Sequence, residues 1–248
     1  MVRKINMKKI SVVTACWYAE DWLEVLIDSV FKNAKNPKDI EIVAVDSSKS
    51  LKKEDTDNVK IIRPEEKLRH GDGLDLGIRK ASYDTILVLD VDAHIVMKDW
   101  DLHIPDFTSE IKLYCACDAR KLKPARPLAM FFNRRTFIDN DISFRPRKLE
   151  GVKFDVGVHA YFRVLTEYGD KSVICMPYQK TEYEDVFGTE YRLDGKRFVY
   201  HNWYGTRFYN GKGERAYEKV DSLDWETFKT KKDNLFEQYN KSRNKVTL

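Results

Sequence analysis

The chain has 248 residues, with 44 Lys and Arg against 40 Asp and Glu, and a formal net charge of +4 at neutral pH. Hydrophobic residues make up 42% and charged residues 34%, a soluble globular balance that excludes collagen, a coiled coil and wholesale disorder. No apolar run approaches the ~20 residues of a membrane span, and the basic stretch 1–9 lacks the apolar run and small-residue cleavage site of a signal peptide. The four cysteines, Cys16, Cys115, Cys117 and Cys175, sit in apolar, strand-like contexts. They are too few for a disulfide framework, and the expectation is four reduced thiols in a cytosolic protein.

The first half alternates strand and helix. Residues 9–15 (KISVVTA) form a β-branched apolar run that predicts a buried strand. Leu23, Ile27, Val30 and Ala34 then recur at helical spacing, and Asn36-Pro37 ends that helix. A second strand is predicted at 40–46 (IEIVAVD), followed by charged loop and a short third strand at 59–63 closed by Pro64. A helix is predicted at 73–82, with Leu74, Ile78 and Ala81 on one face, and a fourth strand over 85–90 (TILVLD). This order predicts an α/β protein with a parallel-rich sheet, which takes ligands at the carboxyl ends of its strands. Asp46 and Asp90 both stand where a buried strand runs out, on the same sheet edge if the strands are parallel.

The second half is less regular. Strands are expected at 111–117, 128–133, 173–176 and 198–201, and a helix at 154–168. A C-terminal helix is expected at 221–239, with Trp225, Phe228, Leu235 and Tyr239 along one stripe. From 119 to 148 nine basic residues face only two acids, Asp139 and Asp141, so the small global charge hides a concentrated positive segment.

Asp90-Val91-Asp92 is the sharpest feature. Two carboxylates two residues apart can face one hard divalent cation, and their oxygens suit Mg²⁺ or Mn²⁺, which also bridge phosphates. A solvated acidic turn has the same pattern. Context separates the two readings. The segments VVTACW, AVDSS, HGDGLDLGIRKA and LVLDVDAH, in that order, resemble the nucleotide-sugar half of GT-A fold glycosyltransferases, in particular the inverting family-2-like group. The resemblance covers about residues 8–100 well and 128–201 loosely.

It implies a GT-A (nucleotide-diphospho-sugar transferase) fold, a Rossmann-like, mostly parallel mixed sheet flanked by helices. The domain would span 1–210, with a nucleotide-sugar half at 8–100 and an acceptor-side half at 101–210. A C-terminal helical extension would occupy 211–248. The resemblance assigns Thr14, Ala15 and Asp46 to the nucleotide end of the donor, and Asp90, Val91 and Asp92 to the metal-diphosphate region. His70 and Gly71, and Asp75 in Leu74-Asp75-Leu76-Gly77-Ile78, are further donor-side candidates; the family often has Arg-Asn in place of Leu74-Asp75. His201, at a late strand end, is a candidate metal ligand beside Asp90 and Asp92. Asp155, in Phe154-Asp155-Val156-Gly157, is the first candidate for the acceptor-side base and is equally suited to cap a helix; Glu184 and Asp185 are the reserves.

The implied cofactor is Mn²⁺ or Mg²⁺, and the implied donor is a UDP- or GDP-sugar. The basic segment suggests an anionic glycan or lipid-linked acceptor, and so a cytoplasmic protein with peripheral contact at the inner face of a membrane. A net charge of +4 is too small to favour nucleic acid. A sugar-phosphate nucleotidyltransferase would show a Gly-rich segment after the first strand, which TACWYAEDW lacks. A haloacid-dehalogenase-type phosphohydrolase would carry its D-x-D after the first strand. A non-catalytic nucleotide-binding module is the remaining alternative. Walker, dinucleotide-binding and serine-hydrolase motifs do not occur.

Overall fold

The computed structural model describes residues 8–107, 110–118, 123–146, 148–149, 152–153, 156–183 and 186–202. The elements of the first half follow the predicted order: β1 (Ile10–Cys16), α1 (Glu20–Lys32), β2 (Ile40–Asp46), β3 (Val59–Ile62), α2 (His70–Lys80) and β4 (Thr85–Leu89). After them come β5 (Ala93–Ile95), β6 (Leu113–Asp118), β7 (Lys123–Asn133) and α3 (Arg134–Asp139). A small hairpin of β8 (Lys148–Leu149) and β9 (Val152–Lys153) precedes α4 (Val158–Tyr168) and β10 (Val173–Met176). The last described strands are β11 (Tyr178–Tyr183), β12 (Val186–Leu193) and β13 (Lys196–Asn202). The expected helix at 221–239 and extension at 211–248 lie outside the described residues.

The main sheet has seven strands in the order β10-β6-β7-β4-β1-β2-β3. β1 runs parallel to both β2 and β4, β2 to β3, and β10 to β6. Only β7 is antiparallel, between β4 and β6. The period-two alternation of side chains sends neighbouring residues to opposite faces. Val12, Ile42 and Leu87 join one core cluster with Leu23 and Leu26 of α1. Val13, Val43 and Val88 join another with Leu74 and Ile78 of α2, Phe137 of α3 and Val164 of α4. Apolar residues on both faces are what a sheet covered on both sides requires.

α2 starts at His70, earlier than apolar spacing predicts. Gly71, Gly73 and Gly77 are poor helix formers, and here close packing explains them. A Cβ on Gly77 would stand 2.6 Å from Val13 Cγ1, and one on Gly73 would stand 3.3 Å from Ala15 Cβ. The glycines let α2 lie directly on β1 and β2.

A second, antiparallel sheet of order β11-β12-β13-β5 packs on the α1 side. β12 and β13 turn through Asp194 (φ 50°) and Gly195 (φ 74°), the left-handed pair that a two-residue hairpin prefers. The free edge of β5 is satisfied by α1: Ile95 N–H donates to Ser29 Oγ at 3.1 Å, and Asn33 Nδ2 donates to Ile95 O at 2.8 Å. Cys16 and Cys115 are buried and outside any disulfide, as expected. Cys175 is joined in a disulfide, which corrects the expectation of four reduced thiols.

Candidate active site

The carboxyl ends of β1, β2 and β4 lie together. Parallel pairing sets Cys16 opposite Asp46 and Val13 opposite Val88, so the loops after all three strands open on one edge. Beyond β4 the chain turns at once, with Ala93 N–H donating to Asp90 O at 2.9 Å, and enters β5. β13 pairs antiparallel with β5 and places His201 opposite Ala93. That single pairing brings the late histidine to the D-x-D turn. His201 Nε2 lies 3.3 Å from Asp92 Oδ1 and 3.7 Å from Asp90 Oδ2.

Ligand atoms of Asp90, Asp92 and His201 all fall within 4.8 Å of one another. Two carboxylates and one imidazole, mostly buried, form a hard-to-borderline donor set that fits Mn²⁺ or Mg²⁺. His70, at the first turn of α2, adds a second imidazole: its Nε2 is 3.5 Å from Asp90 Oδ1. Asp90 is therefore flanked by a histidine on each oxygen. Behind the cluster, His94 packs against the Tyr200 ring at 5.2 Å between centroids. Burial, then the charges of His201 and Arg197, push His94 down to about 3 against the opposing pull of Asp92, so its ring is neutral. Sequence reading did not single out His94; its place two residues past the D-x-D was the available signal.

The other expected residues are placed as follows. Asp46 is fully buried and its carboxylate is taken up by its own loop. Oδ1 accepts the Ser48 N–H at 3.0 Å and the Ser48 hydroxyl at 2.6 Å, and Oδ2 accepts the Leu51 N–H at 2.9 Å. Thr14 is buried beside Ala15, and its hydroxyl has no hydrogen-bond partner among the described residues. Val91 is buried between the two acids. Asp75 has both oxygens engaged elsewhere, accepting from Ser143 and Phe144. Gly71 abuts the Phe144 backbone. Asp155, Glu184 and Asp185 lie outside the described residues.

Of the basic segment, Arg134 and Arg135 pair with Asp84, and Arg145 pairs with Asp72. A further aromatic feature follows β1: the Lys67 ammonium lies 4.0 Å over the ring of Trp17, in the loop that leaves that strand. Among the described residues no helix is long and apolar enough to cross a membrane.

This arrangement, a mostly parallel sheet with a D-x-D turn at the end of its fourth strand, is the GT-A fold. The sequence model of glycosyl transferase family 2 matches residues 11–164, more than half of the chain, and the chain belongs to that family. No curated protein matches it in sequence. Among solved structures it is similar to the mannosyltransferase PcManGT from Pyrobaculum calidifontis in complex with GDP-Man and Mn²⁺. The TM-score is 0.50 at 13% identity, over 74% of this chain and 57% of that one. It is also similar to S. aureus TarS 1–349 in complex with UDP-GlcNAc, with a TM-score of 0.51 at 14% identity over 77% of this chain and 57% of that one. These likenesses concern the fold. The chain spans little more than half the length of either structure.

Proposed function

We propose that the chain is a metal-dependent glycosyltransferase that moves a sugar from a nucleoside diphosphate sugar to an acceptor hydroxyl, with inversion. The observation that supports this most is the cluster of Asp90, Asp92 and His201 at the carboxyl end of β4, in a chain of family 2. Asp90, Asp92 and His201 would hold Mn²⁺ or Mg²⁺, which when bound supplies charge neutralisation for a departing diphosphate.

The chain's own residues divide the remaining work. The loops after β1 and β2, shaped by Thr14, Ala15 and Asp46, form the nucleotide side. His70 and Gly71, at the start of α2, border the diphosphate side, where the helix N-terminus and an imidazole both favour an anion. Asp155 takes the acceptor proton as the sugar carbon is attacked, with Glu184 and Asp185 as the other carboxylates suited to the part. A single displacement of this kind inverts the anomeric centre, and the family resemblance supports that outcome. UDP- and GDP-sugars are the first donors to try, since the two similar structures hold UDP-GlcNAc and GDP-Man. An anionic acceptor would rely on the basic residues of 119–148 other than Arg134, Arg135 and Arg145, whose charges meet acids within the protein.

The test is a donor-hydrolysis screen across UDP- and GDP-sugars with Mn²⁺, repeated in EDTA. Slow hydrolysis of one donor class that stops in EDTA is the expected result. Hydrolysis of none, or hydrolysis indifferent to EDTA, would overturn the metal-dependent reading.

A further inference from the structure

Asp75 belongs to α2, in the donor half, yet both its oxygens face the chain that follows α3. Oδ1 accepts the Phe144 N–H at 2.8 Å, and Oδ2 accepts the Ser143 hydroxyl at 2.6 Å. Ser143 Oγ in turn accepts the Arg145 N–H at 3.1 Å. The Arg145 guanidinium reaches back to Asp72 and stands 3.9 Å from Asp75. Gly71 lies so close that a Cβ there would be 2.5 Å from Phe144 O. Gly71, Asp72 and Asp75 occupy one helix face, at i, i+1 and i+4, and together they grip residues 143, 144 and 145.

The peptide groups of Phe144 carry the connection onward. Its O accepts the N–H of Gly157 at 3.4 Å, the residue with φ 79° from which α4 starts. Its side chain is fully buried, with ring centroids 5.9 Å from Phe132 and 5.8 Å from Phe137. One residue thus donates a hydrogen bond to α2 and accepts one from the entrance of α4. The same α2 begins at His70, 3.5 Å from Asp90.

We propose that Asp75 is a positioning residue that, through both backbone groups of Phe144, fixes the entrance of α4 in the acceptor half relative to the Asp90–Asp92–His201 cluster. Its consequence for catalysis rests on the glycosyltransferase reading; the mechanical coupling does not. A donor contact would leave an oxygen directed to the strand ends, whereas both oxygens here are engaged by the loop. The chemistry also defines a conservative replacement. Asn at this position keeps both bonds, since its Oδ1 accepts from Phe144 N–H and its amide donates to the Ser143 hydroxyl oxygen. Ala keeps neither.

The experiment is hydrogen exchange on the full chain, comparing wild type, Asp75→Ala and Asp75→Asn in peptides covering 142–146 and 156–161, with 86–95 as reference. Binding of UDP and of GDP, each with Mn²⁺, is titrated in parallel. Asp75→Ala is expected to speed exchange in both test peptides by about tenfold or more while the reference stays protected, since a buried partner has been removed. Asp75→Asn should return both peptides to wild-type exchange, and nucleotide binding should survive in both variants. Unchanged exchange at 156–161 in Asp75→Ala would overturn the proposal, and so would lost nucleotide binding with unchanged exchange, which would make Asp75 a donor contact. If Asp75→Ala fails to fold, Ser143→Ala carries the same comparison and must loosen 156–161. A wild type that binds neither nucleotide would count against the glycosyltransferase reading, and the exchange result would still decide the role of Asp75.

Discussion

His201 Nε2 stands 3.3 Å from Asp92 Oδ1, although one residue leaves the central sheet and the other belongs to the last described strand. The contact exists because β13 pairs with β5, the short strand that continues the D-x-D turn. Removing His201 should therefore weaken metal binding without unfolding the sheet. His201→Ala is expected to lower Mn²⁺ affinity by at least about tenfold, the low end of what even outer partners of a metal cost. Asp92→Asn should nearly abolish turnover while the sheet stays folded, since the side chain lies in the turn that closes β4 and its change leaves the core clusters intact. Mn²⁺ titration followed by paramagnetic resonance, with thermal melts, checks both. Unchanged Mn²⁺ affinity in His201→Ala would remove the histidine from the site.

Asp46 sits at the end of β2 and accepts three hydrogen bonds from its own loop, so its loss should affect stability as well as donor binding. Asp46→Ala strands two backbone N–H groups and should cost about 3 kcal/mol, as bonds to a charged group typically do. Asn is no rescue here. Backbone N–H groups approach both oxygens, so one would face the Asn amide, donor against donor. Both variants should melt lower than wild type and raise KM for the donor more than they lower kcat. An Asp46→Asn variant as stable as wild type would contradict the geometry.

Local pattern made the donor half legible, because each element there announces itself within a dozen residues. β2 has the very bounds 40–46 that its apolar run predicts, and α1 lies where the spacing of Leu23, Ile27 and Val30 places a helix. Asp90 and Asp92 were visible for the same reason, as acids closing an apolar run. The partners of those acids were not. No local signal pairs β13 with β5: a strand is expected at 198–201, but not its partner β12 or the Asp194-Gly195 hairpin that joins them. α2 was read short at its start because its glycines argue against helix, and the pressure that selects them comes from Val13 and the Phe144 backbone across space. Burial decides the character of Asp46 and Asp75. Sequence gives their chemistry, but only the fold shows which groups already occupy their oxygens.

Gly77 is the tightest of the three helical glycines against the sheet. A methyl group there would meet Val13 Cγ1 at 2.6 Å and Val45 Cγ2 at 3.3 Å, and both valines are fully buried. Gly77→Ala gains helix propensity of about 1 kcal/mol but forces apart a packed layer at about 1–3 kcal/mol. Net destabilisation is expected. Gly73→Ala, whose nearest neighbour would be the Ala15 methyl at 3.3 Å, should be near neutral or stabilising. Denaturant unfolding of the two variants side by side gives the comparison, and a Gly77→Ala protein more stable than Gly73→Ala would refute it.

Asp75 also predicts a pH dependence. Burial raises its carboxyl above the ordinary value of 3.8, against the lowering effects of the Phe144 N–H, the Ser143 hydroxyl, Arg145 and Arg79. Between 3.8 and the raised native value, the folded protein holds more of this proton than the unfolded chain does. Stability contributed by the group is therefore complete below 3.8 and falls as pH rises through that window, then stays level above the native value. Asn at 75 keeps the hydrogen bonds and does not titrate. The melting temperature of Asp75→Asn minus that of wild type should thus be lowest in acid and become more positive as pH rises from about 3 to about 7. All other groups titrate in both proteins and cancel to first order. Thermal melts of the pair across that range measure the difference directly. If it instead turns more negative as pH rises, Arg145 and the loop donors outweigh burial, and the carboxylate is held charged rather than pushed towards its neutral form.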